Sequence, residues 1–316
     1  MERCVLVENS SCRFSGHQSF AFRNTWLTKG VLGCAQDSSL FRRDNALVTL
    51  GVGKNMVDSI RYWCLATQVI ELEPGERNNR GYYYRPTEIG RRIFLDGGGW
   101  DPYLEDSATL WLLHYLLATN PAWATTAYHV YNKLNTAEFS RQSLEARMLE
   151  IAETIGTTRA SANTIRRDVN VLIHMYAGTK KSVTDTYEDS LDCPLAELGL
   201  VHAAGEGGSY RLTLGDSRSL PDAMVAYATM EYALEHGGRT TFSLDELAYQ
   251  PKSPGRVFRL GEAALALRVE RLAETSGGAW QVSETAGLRQ VTIGTTSNAL
   301  DLLDKYYAGQ GSSHCV

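Results

Sequence analysis

The stretch from Ala46 to Phe94 constrains the fold more than any other part of the chain. A short apolar run, Ala46–Leu50, is broken by Gly51-Val52-Gly53. A second run extends from Lys54 to Thr67. In it Met56, Val57, Ile60, Trp63 and Cys64 share one arc at about 100° per residue, with Lys54, Asn55, Asp58, Arg61 and Tyr62 on the other side. Val69–Leu72, a polar turn at Pro74–Arg80, and Gly81–Arg85 then read as a β-hairpin with Arg77 and Arg80 at a basic tip. Thr87–Gly90 opens a further short helix carrying Arg91 and Arg92. Helix, glycine turn, helix, hairpin is the order of a winged helix-turn-helix, a unit that lays one helix against DNA.

The order recurs. From Asp101 to about Ile155 the pattern is helical, with Ser107, Asn120-Pro121 and Ser140 as predicted helix starts. Ser161 caps a helix through Tyr176 whose core face is Ile165, Val169, Leu172, Ile173 and Tyr176. Asn163, Arg166, Arg167, Asn170 and His174 cluster opposite, with Asp168 the one acid of the helix. Such donors suit phosphate oxygens and base edges. A strand at Tyr210–Leu214 supplies the wing of this second unit, displaced by an acidic insertion at Thr184–Asp192. A third unit is expected from Ser243–Leu247, Leu260–Thr275 and a hairpin of Trp280–Val282 with Leu288–Ile293, closed by a helix over Ser297–Tyr307. Its polar face holds Glu262, Glu270, Arg271 and Glu274, which fits a protein contact better than DNA. The expected fold is therefore mainly α with small β-hairpins (α+β), two or three winged helix-turn-helix units around a helical middle. The expected regions are 1–100, 101–215, 216–308 and a flexible tail at 309–316.

The chain has 316 residues and is 43% apolar, enough for a sizeable core, expected as two or three small ones. A net charge of −5 excludes a polybasic, histone-like protein, but the charge is uneven. Residues 1–100 carry 13 basic and 10 acidic groups and 141–181 carry 7 and 4, whereas 182–316 carry 10 and 18. The two segments of net +3 hold the two candidate DNA-facing helices; the −8 segment suits a protein partner. The six cysteines, at positions 4, 12, 34, 64, 193 and 315, form no C-x-x-C and lie beside no histidine cluster. They predict neither a zinc site nor a disulfide framework. No secretory pattern and no apolar run long enough to span a bilayer is present, so no membrane partner and a cytoplasmic location are expected.

The segment Phe14–Lys29, FSGHQSFAFRNTWLTK, packs aromatics and donors together. With Arg13 before it, Gln18, Arg23 and Lys29 are candidate phosphate contacts, and the aromatics could stack a base. His17 is the one candidate base for water activation; the competing reading is a structural histidine among aromatics. Asp185, Glu188, Asp189 and Asp192 could hold a divalent metal such as magnesium, or could be a solvated acidic loop. Cys193 before Pro194 is either a sulfur acceptor or a buried structural thiol. For Lys54–Thr67 the competing reading is an ordinary amphipathic helix of a dimerising winged helix, with a second copy of the chain as partner and Lys54 and Arg61 merely solvated. No P-loop or other nucleotide-cofactor motif, H-E-x-x-H or G-x-S-x-G occurs.

Two resemblances sharpen this. Ser161–Val169 resembles the recognition helix of DeoR-type winged-helix repressors. FSGHQSFAFRNTWLTKG, together with LGVGKNMVDSIRYW at 50–63 and DCPLAELGL at 192–200, resembles a family first catalogued only as a domain of unknown function. It includes the SspB-like nicking components of bacterial single-strand DNA phosphorothioation systems. The resemblance covers nearly the whole chain. It implies a DNA-binding protein that nicks DNA so that a partner can place sulfur in the backbone. It also implies sulfur-transfer and ATPase proteins of the same system as partners, and a role in defence against phage. The competing class, resting on the same helices, is a non-catalytic DNA-binding adaptor or regulator.

Overall fold

The computed structural model describes residues 12–74, 82–155, 160–178, 193–205, 208–285, 287–294 and 298–311. The first region runs α1 (Asn24–Gln36), α2 (Ala46–Leu50), α3 (Lys54–Ala66), an antiparallel pair β1 (Ile70–Leu72) and β2 (Tyr84–Pro86), and α4 (Glu88–Phe94). Gly51 stops α2 in a left-handed conformation at φ 64°, its N–H closing on the carbonyls of Leu47 and Val48. Arg77 and Arg80, the expected hairpin tip, lie outside the described residues.

Two further regions repeat one order. The second has α6 (Thr125–Lys133), β3 (Glu138–Ser140), α7 (Arg141–Thr154), α8 (Ala162–Ala177), β4 (Val201–Ala204) and β5 (Ser209–Leu212), in an antiparallel sheet ordered β3-β5-β4. The third has α9 (Asp222–Glu235), β6 (Thr241–Ser243), the short α10 (Leu244–Tyr249) and α11 (Pro254–Val257), α12 (Glu262–Thr275), β7 (Trp280–Thr285) and β8 (Leu288–Ile293), ordered β6-β8-β7. The same local device starts both. Phe139 and Phe242 are buried in their three-residue strands, and the next residue, Ser140 or Ser243, caps the following helix by accepting the N–H of Ser143 or Glu246. Neither strand was expected, because three residues are too few to show a period of two.

The helical middle corrects several expectations. α5 (Ser107–Ala118) is the hub, with every residue from Ala108 to Ala118 buried. The buried apolar side chains form one continuous cluster around it rather than two or three small ones. Asp106, not Ser107, caps α5, accepting the Ala108 N–H at 2.8 Å. α6 begins at Thr125 rather than at Asn120-Pro121. The last helix, α13 (Leu300–Gly311), starts later than expected and runs beyond Gly309 into the expected tail; residues 312–316 lie outside the described ones. It returns to the first region. Arg92 of α4 meets Asp304, the Trp100 indole N–H donates to Asp304 at 3.0 Å, and Trp100 stacks on Tyr307. Among the described residues, no helix is long and apolar enough to cross a membrane.

Candidate nucleic-acid interface

α8 begins at Ser161, whose hydroxyl accepts the Thr164 N–H. Its expected core face is buried without exception: Ile165, Val169, Leu172, Ile173 and Tyr176. Opposite, Asn163, Arg166 and Arg167 are exposed, and Asn170 and His174 are half-buried. The Arg166 guanidinium lies 3.5 Å from the Glu145 carboxylate of α7 and remains 58% exposed, so that ion pair is a weak restraint. The Asn170 side-chain oxygen is buried without a hydrogen-bond partner among the described residues.

The sequence marks Asp168 only as the one acid of the helix. Asp168 does not join the solvated face but is buried, taking a hydrogen bond from Thr126 of α6 and another, at 2.9 Å, from His17. It is three residues after Ile165 and four before Leu172, on the edge of the core stripe, a position that permits burial without naming the partner.

His17 is 3% exposed. Its Nδ1 accepts the Ser19 backbone N–H at 3.0 Å, so the ring proton sits on Nε2 and is donated to Asp168. Both ring nitrogens are therefore engaged, and neither faces solvent. The turn that achieves this holds two consecutive non-glycine residues at positive φ, Gln18 at 49° and Ser19 at 65°. Its other partners come from α3: the Ser59 hydroxyl donates to the His17 carbonyl at 3.0 Å, and the Trp63 indole N–H donates to the Phe20 carbonyl at 3.0 Å. Trp63 also stacks with the imidazole, and Tyr62 meets its edge. Tyr62 was expected on the polar side of α3; it is buried and donates to the Trp123 carbonyl. Burial pushes its phenol well above the ordinary range.

The remaining candidates divide. Lys54 and Asn55 stand exposed on the first turn of α3, and Gln18 is exposed on the His17 turn. Arg61 pairs with Asp58 at 3.0 Å. Arg13 lies over the Trp123 ring at 3.7 Å, and Arg23 over Trp26 at 5.4 Å. Lys29 turns inward to donate to the Leu50 carbonyl at the end of α2, a helix-capping contact. Because His17 bonds Asp168, the turn bearing Gln18 lies alongside α8.

Among the described residues no group of three His, Cys, Asp or Glu could hold a metal ion. Asp185, Glu188, Asp189 and Asp192 lie outside the described residues. Cys193 is buried, as are Cys34 and Cys64. Burial raises the Cys34 thiol to about 12 and the Cys64 thiol well above its usual range, which keeps both from acting as thiolates.

No curated protein matches the chain. Two solved structures do: an SspB crystal structure at 33% identity and a magnesium ion-bound SspB crystal structure at 34%. Each has a TM-score of 0.84 and covers 95% of this chain and 88% of the other. The chain is thus SspB-like, and its residues 14–307 match a family described as a protein of unknown function, DUF4007. On that match the chain belongs to the DUF4007 family.

Proposed function

We propose that this SspB-like protein binds DNA through α8 and acts as the nicking component of a phosphorothioation system. The order of the second region, helix, strand, helix, helix, hairpin, supports reading it as a winged helix-turn-helix with α8 as recognition helix. The observation that carries the reading is the composition of the α8 surface. Asn163, Arg166 and Arg167 point outward while the single acid, Asp168, is bonded inward. A negative charge that would oppose phosphate is withdrawn from the face that would approach it. Lys54 and Asn55 on α3, with Arg13, Gln18 and Arg23, form the second contact zone.

Titrating a labelled duplex by fluorescence anisotropy tests binding. Replacing Arg166 and Arg167 together by Ala should weaken it and reduce the slope of log K against log salt by about 2, one for each phosphate left without its arginine. Unchanged affinity would remove α8 from the interface. Strand opening is tested separately, by conversion of supercoiled plasmid to open circle with magnesium present. Carboxylates suit that ion, and Asp185, Glu188, Asp189 and Asp192 are its proposed holders. Plasmid that stays supercoiled while duplex binding persists would favour the second reading, a non-catalytic adaptor. The engaged ring nitrogens of His17 are the observation on that side. In either reading the acidic composition of residues 182–316 suits sulfur-transfer or ATPase partners.

A further inference from the structure

We propose that His17 is a positioning residue that locks α8 to α3, so that the two DNA-facing helices meet one duplex in fixed relation. The inference rests on the DNA-binding reading above. Its basis is a continuous chain of bonds between two regions that are distant in sequence. Ser59 of α3 donates to the His17 carbonyl, the His17 Nε2–H donates to Asp168 of α8, and Thr126 of α6 donates to the other oxygen of the same carboxylate. Each member is buried: Ser59 at 0%, His17 at 3%, Thr126 at 2% and Asp168 at 7% exposure.

The tautomer is fixed rather than free. Ser19, held at φ 65°, presents its N–H to Nδ1, which leaves Nε2 as the donor that Asp168 requires. Backbone strain is thus spent on orienting one imidazole, and strain of that kind persists only where the surroundings over-determine it. The carboxylate does two jobs. It anchors α8 in the turn next to exposed Arg167, and its inward bonds keep its charge off the DNA-facing surface. Neither job needs His17 to touch DNA, which is why its burial is compatible with a strong effect on binding.

The test compares four variants in duplex titrations, each checked by circular dichroism and thermal melting. H17A and D168A cut the chain; H17Q places an amide N–H near the Nε2 position; D168N keeps one oxygen for His17 and offers an N–H to the Thr126 hydroxyl. The cut variants are expected to lose about tenfold or more in affinity, the coupling expected when a packed network is broken. They should also show a shallower salt slope, because one helix leaves the duplex. H17Q and D168N should recover affinity to within about threefold of wild type on that same coupling scale. Rescue of affinity together with slope is what general destabilisation would not give. H17A with wild-type affinity and slope overturns the proposal. So does a folded H17Q that binds as weakly as H17A, and if H17A does not fold, H17Q and D168N decide alone. Failure of the underlying reading looks different: wild type binds DNA, but removing Arg166 and Arg167 changes nothing.

Discussion

His114 should make this protein lose stability in mild acid. It sits in the middle of the hub helix α5 at 0% exposure. Its Nε2 lies 2.9 Å from the Val257 carbonyl, which can only accept, so Nε2 carries the proton and Nδ1 accepts the Tyr176 hydroxyl at 2.7 Å. The neutral ring is fully satisfied, and a second proton would bury a charge among Trp111, Tyr131 and Phe258. Burial accordingly lowers its pKa from 6.5 to about 4, against the raising effect of the Val257 carbonyl. Because the folded pKa is the lower one, the unfolded chain takes up the proton first. Stability from this group is complete above pH 6.5, falls as pH drops toward 4, and changes no further below that. The depression corresponds to about 3 kcal/mol at roughly 1.4 kcal/mol per unit. His129, lowered to about 4 by burial and by Lys133 and Arg147, adds in the same direction, weakened by its partial exposure. The carboxyls of Asp37 and Asp222 are already held below 3.8 and stay charged across the window, so they do not confuse it. Urea unfolding at about pH 7 and about pH 4.5 reads the effect as a drop in midpoint at constant slope. Equal midpoints would refute the reasoning.

Other perturbations are as direct. Arg268, 3% exposed, donates all five N–H groups to Asp216, Ser217, Leu220 and Asp222. R268M should cost about 2–4 kcal/mol in chemical unfolding, at the low end of buried-pair losses because both aspartates reach solvent, with duplex affinity unchanged. G16A should destabilise by about 1–3 kcal/mol and weaken DNA binding. A Cβ there would stand 2.4 Å from the buried Tyr62 ring in a backbone held at φ +130°, and thermal melting with anisotropy reads both effects. L113A on α5 should lose about 2–5 kcal/mol as a single cooperative transition, because the cavity opens in the one shared core. Separate calorimetric transitions would contradict that.

Helical periodicity and glycine punctuation made α2, α3, α8, α12 and the hairpin of β7 and β8 legible in the sequence, since each is long enough or sharply enough bounded to carry a period. β3 and β6 were not legible, being three residues long; only the Phe-Ser repeat at 139–140 and 242–243 marks them. The outward face of α8 could be read from its own residues. The burial of Tyr62 and Asp168 could not, because both are buried by segments remote in sequence, the turn at His17 and the start of α6. Local periodicity says which face of a helix is apolar. It does not say which polar residue will be met by a partner from elsewhere.

The two repeated helices show what that difference does. Aligned on their N-caps, Ser161 and Gly261, α8 and α12 match Ile165 with Leu265, Asp168 with Arg268, and Val169 with Val269. The same position holds a buried charge in each. In α8 an acid faces His17 and Thr126; in α12 a base faces Asp216 and Asp222. The sign can invert because the anchor only has to be complementary to its own neighbours. The outer positions diverge in chemistry. Asn163, Arg166 and Arg167 correspond to Ala263, Ala266 and Leu267, while Asn170 and His174 correspond to Glu270 and Glu274. Leu267 stands 57% exposed where α8 presents Arg167. A phosphate approaching α12 would meet carboxylates and an aliphatic side chain, with no cation at any of these five positions. One scaffold thus presents two surfaces of different charge. The net −5 of the whole chain averages over them, which is why it says so little about where a polyanion would bind.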